Sequence, residues 1–356
     1  MEIHFLTSTP LNVVQGSGTF VGIATLARGL RELGATVEIF SPSFRLPVFT
    51  AERLVFNEML RRRRRPHCDV TVGFDMDGYR AAGRDTAPYI ASIKGVIADE
   101  MSFERGLTHA TMAIQARCEA LHVRRAALVM TTSRYAASRL QQLYGLETTP
   151  TIVPELIDLS GWRGLFRKHP AERDPRKFTV LCVCRFYPRK RLHLLLEAAA
   201  ALHERIPALE VRIVGGGPEA RRLARLATEL RLNGIVRWLG DVSQSVLAME
   251  YLRADVFCLP SVQEGFGIVF LEAMAAGKPI VAANAAAVPE VVRSGLLVEP
   301  ESAPALADAV ERLYLEPELR SKLSSEGSVA VENFDAPIVA RQFLNVLERL
   351  VWNEDL

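Results

Sequence analysis

The chain has 356 residues, more than one compact core usually holds, so two domains of ordinary size are expected. Hydrophobic residues make up 49% and charged residues 24%, which excludes an intrinsically disordered chain, and a net charge of +2 gives no bulk argument for nucleic acid. No run approaches ~18 uninterrupted apolar residues, so no transmembrane helix is expected; the richest, Leu192 to Leu202, is broken by His193 and Glu197.

The opening Met1-Glu2-Ile3-His4-Phe5-Leu6 lacks a basic start and a small-residue cleavage site, and reads as a strand rather than an export signal. A cytoplasmic address is the expectation. Short Val/Ile/Leu-rich runs then alternate with helical patterns, the signature of stacked βαβ units and parallel sheets. In the first half, strands are expected near 2–7, 36–40, 69–74, 88–93 and 127–132, with a short sixth at 151–153. Ile23, Leu26, Ala27, Leu30 and Leu33 repeat at helical spacing between the first two, and Gly34 supplies a stop. Arg61, Arg62, Arg63, Arg64 and Arg65 close a helix-like segment that carries Leu54, Val55, Phe56, Met59 and Leu60. Cations are favoured at a helix C-terminus, so a solvated end accounts for them. A basic amphipathic helix also suits an anionic membrane, and peripheral contact there is the alternative.

Residues 154–177 hold Pro154, Gly161, Gly164, Pro170 and Pro175 among many charges and read as an interdomain linker. A second alternating series follows, with strands near 178–184, 210–214, 235–239, 255–259, 279–283 and 296–298. The expected architecture is α/β, with two Rossmann-like domains at 1–157 and 158–335, each placing ligands beyond the carboxyl ends of its parallel strands. Sheets facing one another would enclose a deep cleft. Residues 336–356 carry Ile338, Val339, Phe343, Val346, Leu347 and Leu350 at helical spacing with no strand after them, so a helix packing back on the first domain is expected. Five cysteines (Cys68, Cys118, Cys182, Cys184 and Cys258), an odd number without an export signal, argue against a disulfide framework. Cys182 and Cys184 share one face of a strand and read as buried apolar residues rather than metal ligands.

The chemistry concentrates in the second half. Val180–Cys184 runs into Arg185-Phe186-Tyr187-Pro188-Arg189-Lys190, with a helix expected from Arg191. Two cations beside a helix N-terminus suit an anion, and a solvated basic loop fits the residues equally well. Gly215-Gly216-Gly217-Pro218-Glu219 links a strand to a helix; it permits close ligand approach, and a tight turn explains it almost as well. Pro260 to Pro279 contains Glu264 and Glu272, eight apart, around Gly265-Phe266-Gly267. Glu264 is expected on the loop and Glu272 about two turns into the following helix, facing the same cleft. Carboxylates suit hydroxyl-rich ligands because each oxygen accepts hydrogen bonds. By composition alone Glu272 is an ordinary, partly exposed helix glutamate.

Arg185-x4-Lys190, Gly215-Gly216-Gly217-Pro218-Glu219 and Glu264-x7-Glu272 together resemble retaining glycosyltransferase family 4, with its GT-B fold. Gly277-Lys278-Pro279, Val288-Pro289-Glu290-Val291-Val292 and Gly295-Leu296-Leu297-Val298 follow in the family's order. The resemblance is close over about 178–300 and looser before it, where Gly16-Ser17-Gly18 and Ala127–Ser133 leading into Tyr135 stay collinear. It implies retaining transfer from a nucleotide diphosphate-sugar, with no metal or other cofactor, to a glycan, lipid-linked or small-molecule acceptor. Arg185 and Lys190 would neutralise the diphosphate, and Glu264 with the Gly265, Phe266 and Gly267 amides would hold the donor sugar. Glu272 would accept from the ribose hydroxyls and Val242 would lie against the base. Gly215 would line the donor site, and Gly16 and Gly18 would approach the phosphates from the other domain. Many members carry a histidine where this chain reads Lys94-Gly95; Lys94 is the expected substitute and His109 the alternative.

Asp75-Met76-Asp77 is a D-x-D, a metal motif in a different glycosyltransferase fold; here acceptor contact or turn-making beside Gly78 is expected. A sugar-nucleotide epimerase, or another non-transferase nucleotide-sugar binder of this architecture, is the rival reading. A dinucleotide oxidoreductase needs G-x-G-x-x-G, and Gly16-Ser17-Gly18-Thr19-Phe20-Val21 fails at the third glycine. A nucleic-acid protein would rest on the arginine run alone, without interleaved aromatics.

Overall fold

The computed structural model describes residues 1–9, 18–63, 65–83 and 87–352. It comprises two compact units, Met1–Leu156 with Ala336–Leu356, and Ile157–Asp335.

The first unit holds six strands: β1 (Glu2–Leu6), β2 (Thr36–Phe40), β3 (Val70–Phe74), β4 (Tyr89–Ile93), β5 (Leu128–Thr131) and β6 (Thr151–Ile152). They form one parallel sheet in the order β2-β1-β3-β4-β5-β6. Every residue of β3 and β4 is buried, as expected of parallel strands covered on both faces. Phe5 and Phe74 meet edge to face at 4.9 Å, and Phe343 of the last helix, Ala336–Trp352, closes on Phe5 at 6.2 Å. That helix packs on Gly18–Glu32, where a Cβ at Gly29 would lie 2.9 Å from the Ala340 methyl. Only a glycine lets the two backbones come so close.

The second unit repeats the plan with β7 (Phe178–Val183), β8 (Leu209–Val214), β9 (Val236–Gly240), β10 (Val256–Leu259), β11 (Ile280–Ala283) and β12 (Leu296–Val298). Its parallel sheet runs β12-β11-β10-β7-β8-β9. The chain builds outward from β7 to β9, then returns to build the other way from β10, so the order reverses between β7 and β10. Open parallel sheets bind ligands beyond the carboxyl ends of the strands at such a point.

The segment 154–177 is not a plain linker. It contains a helix, Leu159–Lys168, with Leu159 and Trp162 buried in the second core. Asp158 caps it by accepting from the Gly161 N–H at 2.9 Å, which offsets the weak helix propensity of Gly161 and Gly164.

Candidate active site

The loops after β7 and β10 are stitched together at the reversal point of the second sheet. The Val262 N–H donates to the Arg189 carbonyl at 3.0 Å, and the Lys190 ammonium donates to Glu264 Oε1 at 2.6 Å. Both side chains are nearly buried, at 11% and 9% exposed, so the pair sits in a setting where its Coulomb attraction is little screened. Lys190 ends a short 3-10 turn, Pro188–Lys190, and Arg191 then takes a left-handed φ of 51° before the Leu192–His203 helix. The helix therefore begins one residue later than its sequence pattern suggests.

Arg185 lies on the same loop but half in solvent, and donates to Asp241 Oδ1 at 2.8 Å. An exposed pair of this kind holds the guanidinium only weakly. The Arg185 loop is clamped to the glycine-rich loop, because the Phe186 N–H donates to the Gly216 carbonyl at 2.9 Å and the Glu219 N–H to the Phe186 carbonyl at 3.1 Å. Gly215 and Gly217 have φ of 115° and 155°, and a Cβ there would strike the Cys184 carbonyl at 2.0 Å and the Phe186 nitrogen at 2.7 Å. Close approach of two loops thus accounts for both glycines, while a Cβ at Gly216 meets open space. Val242 is half-buried just after β9 and packs on the core.

Gly267, at φ 94°, ends the Glu264 loop and precedes the helix Ile268–Ala275. Phe266 is buried against Phe334, so its ring serves packing. Glu272 lies just over one turn into the helix, not two, because the loop extends to Gly267. Its Oε2 accepts from the Tyr251 hydroxyl at 2.8 Å. Burial pushes the Glu272 carboxyl up to about 7, with the tyrosine hydroxyl pulling it back. Asp241 and Tyr251 were not singled out by sequence; they reach the site only through pairing across elements.

The remaining candidates belong to the first unit. Gly16 lies outside the described residues, and Gly18 opens the helix Gly18–Glu32. Lys94 follows β4, and its ammonium pairs with buried Glu155 at 3.2 Å and rests 5.9 Å from the centre of the Phe74 ring. His109 is exposed, with Nδ1 3.1 Å from the Met101 carbonyl. Asp77 is no acceptor contact: it is fully buried and held by Ser8, Arg53 and Asn57. Arg61 and Arg62 both pair with Glu58, Arg63 lies over the Phe40 ring, and Arg64 is outside the described residues. Arg65 is half-buried.

Residues 166–329 match the family described as glycosyl transferases group 1. The chain resembles that family over most of its second unit, Ile157–Asp335. Among its relatives is a GDP-mannose-dependent alpha-(1-6)-phosphatidylinositol monomannoside mannosyltransferase of Mycobacterium tuberculosis, 34% identical over 53% of each chain. A D-inositol 3-phosphate glycosyltransferase of Rhodococcus opacus is 38% identical over 45% of this chain and 38% of its own. The chain spans about half the length, or less, of these curated relatives. The fold matches over nearly the whole chain. A sucrose-phosphate synthase from Thermosynechococcus elongatus superposes with a TM-score of 0.84 at 21% identity, covering 99% of this chain and 100% of that one. The Anabaena HepE protein in complex with UDP and glucose gives 0.73 at 20% identity, over 98% and 99%. The two six-stranded parallel sheets are those of the GT-B fold.

Proposed function

We propose that the chain is a retaining glycosyltransferase that moves a sugar from a nucleotide diphosphate-sugar to an acceptor hydroxyl, with no resident metal or other cofactor. The carrying observation is the nearly buried Lys190–Glu264 pair, 2.6 Å apart, on the two loops that flank the strand reversal. As the glycosidic bond breaks, charge grows on the diphosphate, and Lys190 with Arg185 neutralises it from fixed positions. The acceptor oxygen bonds to the anomeric carbon on the face the diphosphate leaves, and the acceptor's proton departs with the products. Glu264, released in part from Lys190, accepts from donor-sugar hydroxyls, beside the Gly265, Phe266 and Gly267 amides. Glu272 accepts from the ribose, and Val242 and Gly215 line the nucleotide.

Relatives named for GDP-mannose and for inositol-containing acceptors make GDP-mannose the first donor to try and a polyol or lipid-linked polyol the first acceptor. Lys94 and the first unit serve the acceptor in this reading. The helix Phe49–Arg62 supports peripheral contact with anionic lipid, since Val48, Val55 and Met59 are exposed at helical spacing beside exposed Arg62. Salt-insensitive failure to co-sediment with anionic vesicles would remove the lipid contact alone.

The test of the main reading is a thermal-shift screen of UDP, GDP, ADP and dTDP and their common sugars, with EDTA and with Mg2+. Stabilisation by one nucleotide family, unaffected by EDTA, is the expected result. No response to any nucleotide overturns the donor site, and a response only with Mg2+ overturns metal independence.

A further inference from the structure

Glu272 has two carboxylate oxygens in different situations. Oε2 accepts from Tyr251 at 2.8 Å, while Oε1 takes no hydrogen bond from the described residues. Tyr251 comes from a different element, the helix Gln244–Arg253, and its side chain is wholly buried. Trp162 stands edge-on to its ring at 5.7 Å and Phe257 lies tilted at 5.9 Å, so the ring cannot swing. The hydroxyl has one proton and two acceptors in range, Glu272 Oε2 at 2.8 Å and the Val269 carbonyl at 3.4 Å. The nearer, ionisable oxygen takes it. Deep burial holds the phenol far above its ordinary pKa, so Tyr251 remains a donor at every working pH.

From this geometry we infer that Tyr251 is a positioning residue for the donor's ribose. By capping Oε2 it fixes the carboxylate of Glu272 and presents Oε1 as the acceptor for a ribose hydroxyl. The inference rests on the ribose reading of Glu272 proposed above. Burial alone drives this carboxyl toward its protonated form, and the tyrosine hydroxyl opposes that shift. Without Tyr251, Glu272 would be both freer to rotate and more often protonated, and a poorer acceptor on each count.

A buried tyrosine that merely satisfies its own hydroxyl would contribute to stability and nothing else. Ribose discrimination separates the two roles. Titration calorimetry is run on the full chain with GDP and UDP and with their 2′,3′-dideoxy counterparts. Wild type is expected to prefer the ribonucleotide by about tenfold, the scale of one charge-assisted hydrogen bond. Tyr251→Phe keeps the ring and is expected to bind the dideoxy nucleotide as wild type does while losing most of that preference. Glu272→Asp withdraws the carboxylate from Tyr251 without touching the buried ring and is expected to lose it too, which covers the case of a Phe variant that does not fold. Retained preference in either folded variant, or equal weakening of both nucleotides, overturns the positioning role and leaves the donor site standing. Absence of any ribose preference in wild type overturns the role of Glu272 together with that of Tyr251. Absence of all nucleotide binding overturns the donor reading itself.

Discussion

Each sheet reverses its strand order once, and the two reversal points are chemically opposite. In the first unit the reversal lies between β1 and β3, and Asp77 sits just beyond β3. Its carboxylate accepts from the Ser8 N–H and hydroxyl, each at 2.6 Å, from Asn57 at 3.0 Å and from Arg53 at 3.3 Å. A carboxylate offers about four lone-pair sites, so Asp77 is saturated by its own chain. Between β7 and β10 of the second unit, Lys190 and Glu264 share a single bond. Two ammonium protons and one carboxylate oxygen there have no partner among the described residues. Buried polar groups are nearly always satisfied, so a saturated cluster reads as structure and an under-satisfied pair as a place for a ligand.

The contrast breaks if the two clusters respond alike to substitution. Asp77→Ala leaves the Arg53 guanidinium buried without its carboxylate partner, and an unfolding cost of about 3–5 kcal/mol is expected in urea. Nucleotide binding by the folded fraction should be unchanged. Lys190→Ala and Glu264→Ala should do the reverse. Sugar transfer falls about a hundred- to a thousandfold, as for loss of one preorganised charge contact, while the urea midpoint moves less than for Asp77→Ala because the pair lies at the end of the sheet. Full transfer in either variant, or a larger stability loss than Asp77→Ala gives, would reverse the assignment of structure and site.

The same difference explains what the sequence conveyed. Both sheets were legible because fully buried parallel strands such as Val70–Phe74 and Phe178–Val183 are continuous apolar runs, and their ends fall within a residue or two of the pattern. The helix Leu159–Lys168 was hidden by two glycines and the flanking prolines. The readable sign was Asp158 ahead of Leu159, Trp162 and Phe166 at helical spacing. At the candidate site, Arg185, Lys190, Glu264 and Glu272 stood out by spacing within short loops. Their partners did not, since Asp241 lies 56 residues from Arg185 and Tyr251 lies 21 from Glu272. The Asp77 network was equally invisible, although Arg53 and Asn57, four apart on one helix among buried Phe56 and Leu60, hinted at a polar patch turned inward.

Asp75 sharpens the comparison from within the first unit, two residues from saturated Asp77. It adopts a left-handed φ of 53°, uncommon for a residue with a side chain. The turn is held by the Lys94 N–H, which donates to Asp75 Oδ1 at 2.8 Å, and by the ring of His122, which donates from Nδ1 to the Asp75 carbonyl. Burial keeps that imidazole neutral, with its pKa lowered to about 4. Burial also pushes the Asp75 carboxyl up to about 6; Arg53 and the Lys94 N–H oppose this, while Asp77 and Glu100 add to it. A carboxyl raised on folding gives its full contribution to stability below the unfolded value near 3.8 and loses it as pH rises to about 6. Asp75→Asn keeps the acceptor oxygen, tolerates the left-handed backbone and cannot ionise. It should therefore match wild type near pH 4 and become more stable by about 2 kcal/mol by pH 7, the order expected from the shift. Urea midpoints of the two proteins across that range measure the gap directly. If the gap stays flat, Asp75 ionises in the folded protein as readily as in the unfolded one. The end of β3 would then hold a hydrated carboxylate beside a saturated one, and the contrast between the two reversal points would be one of degree.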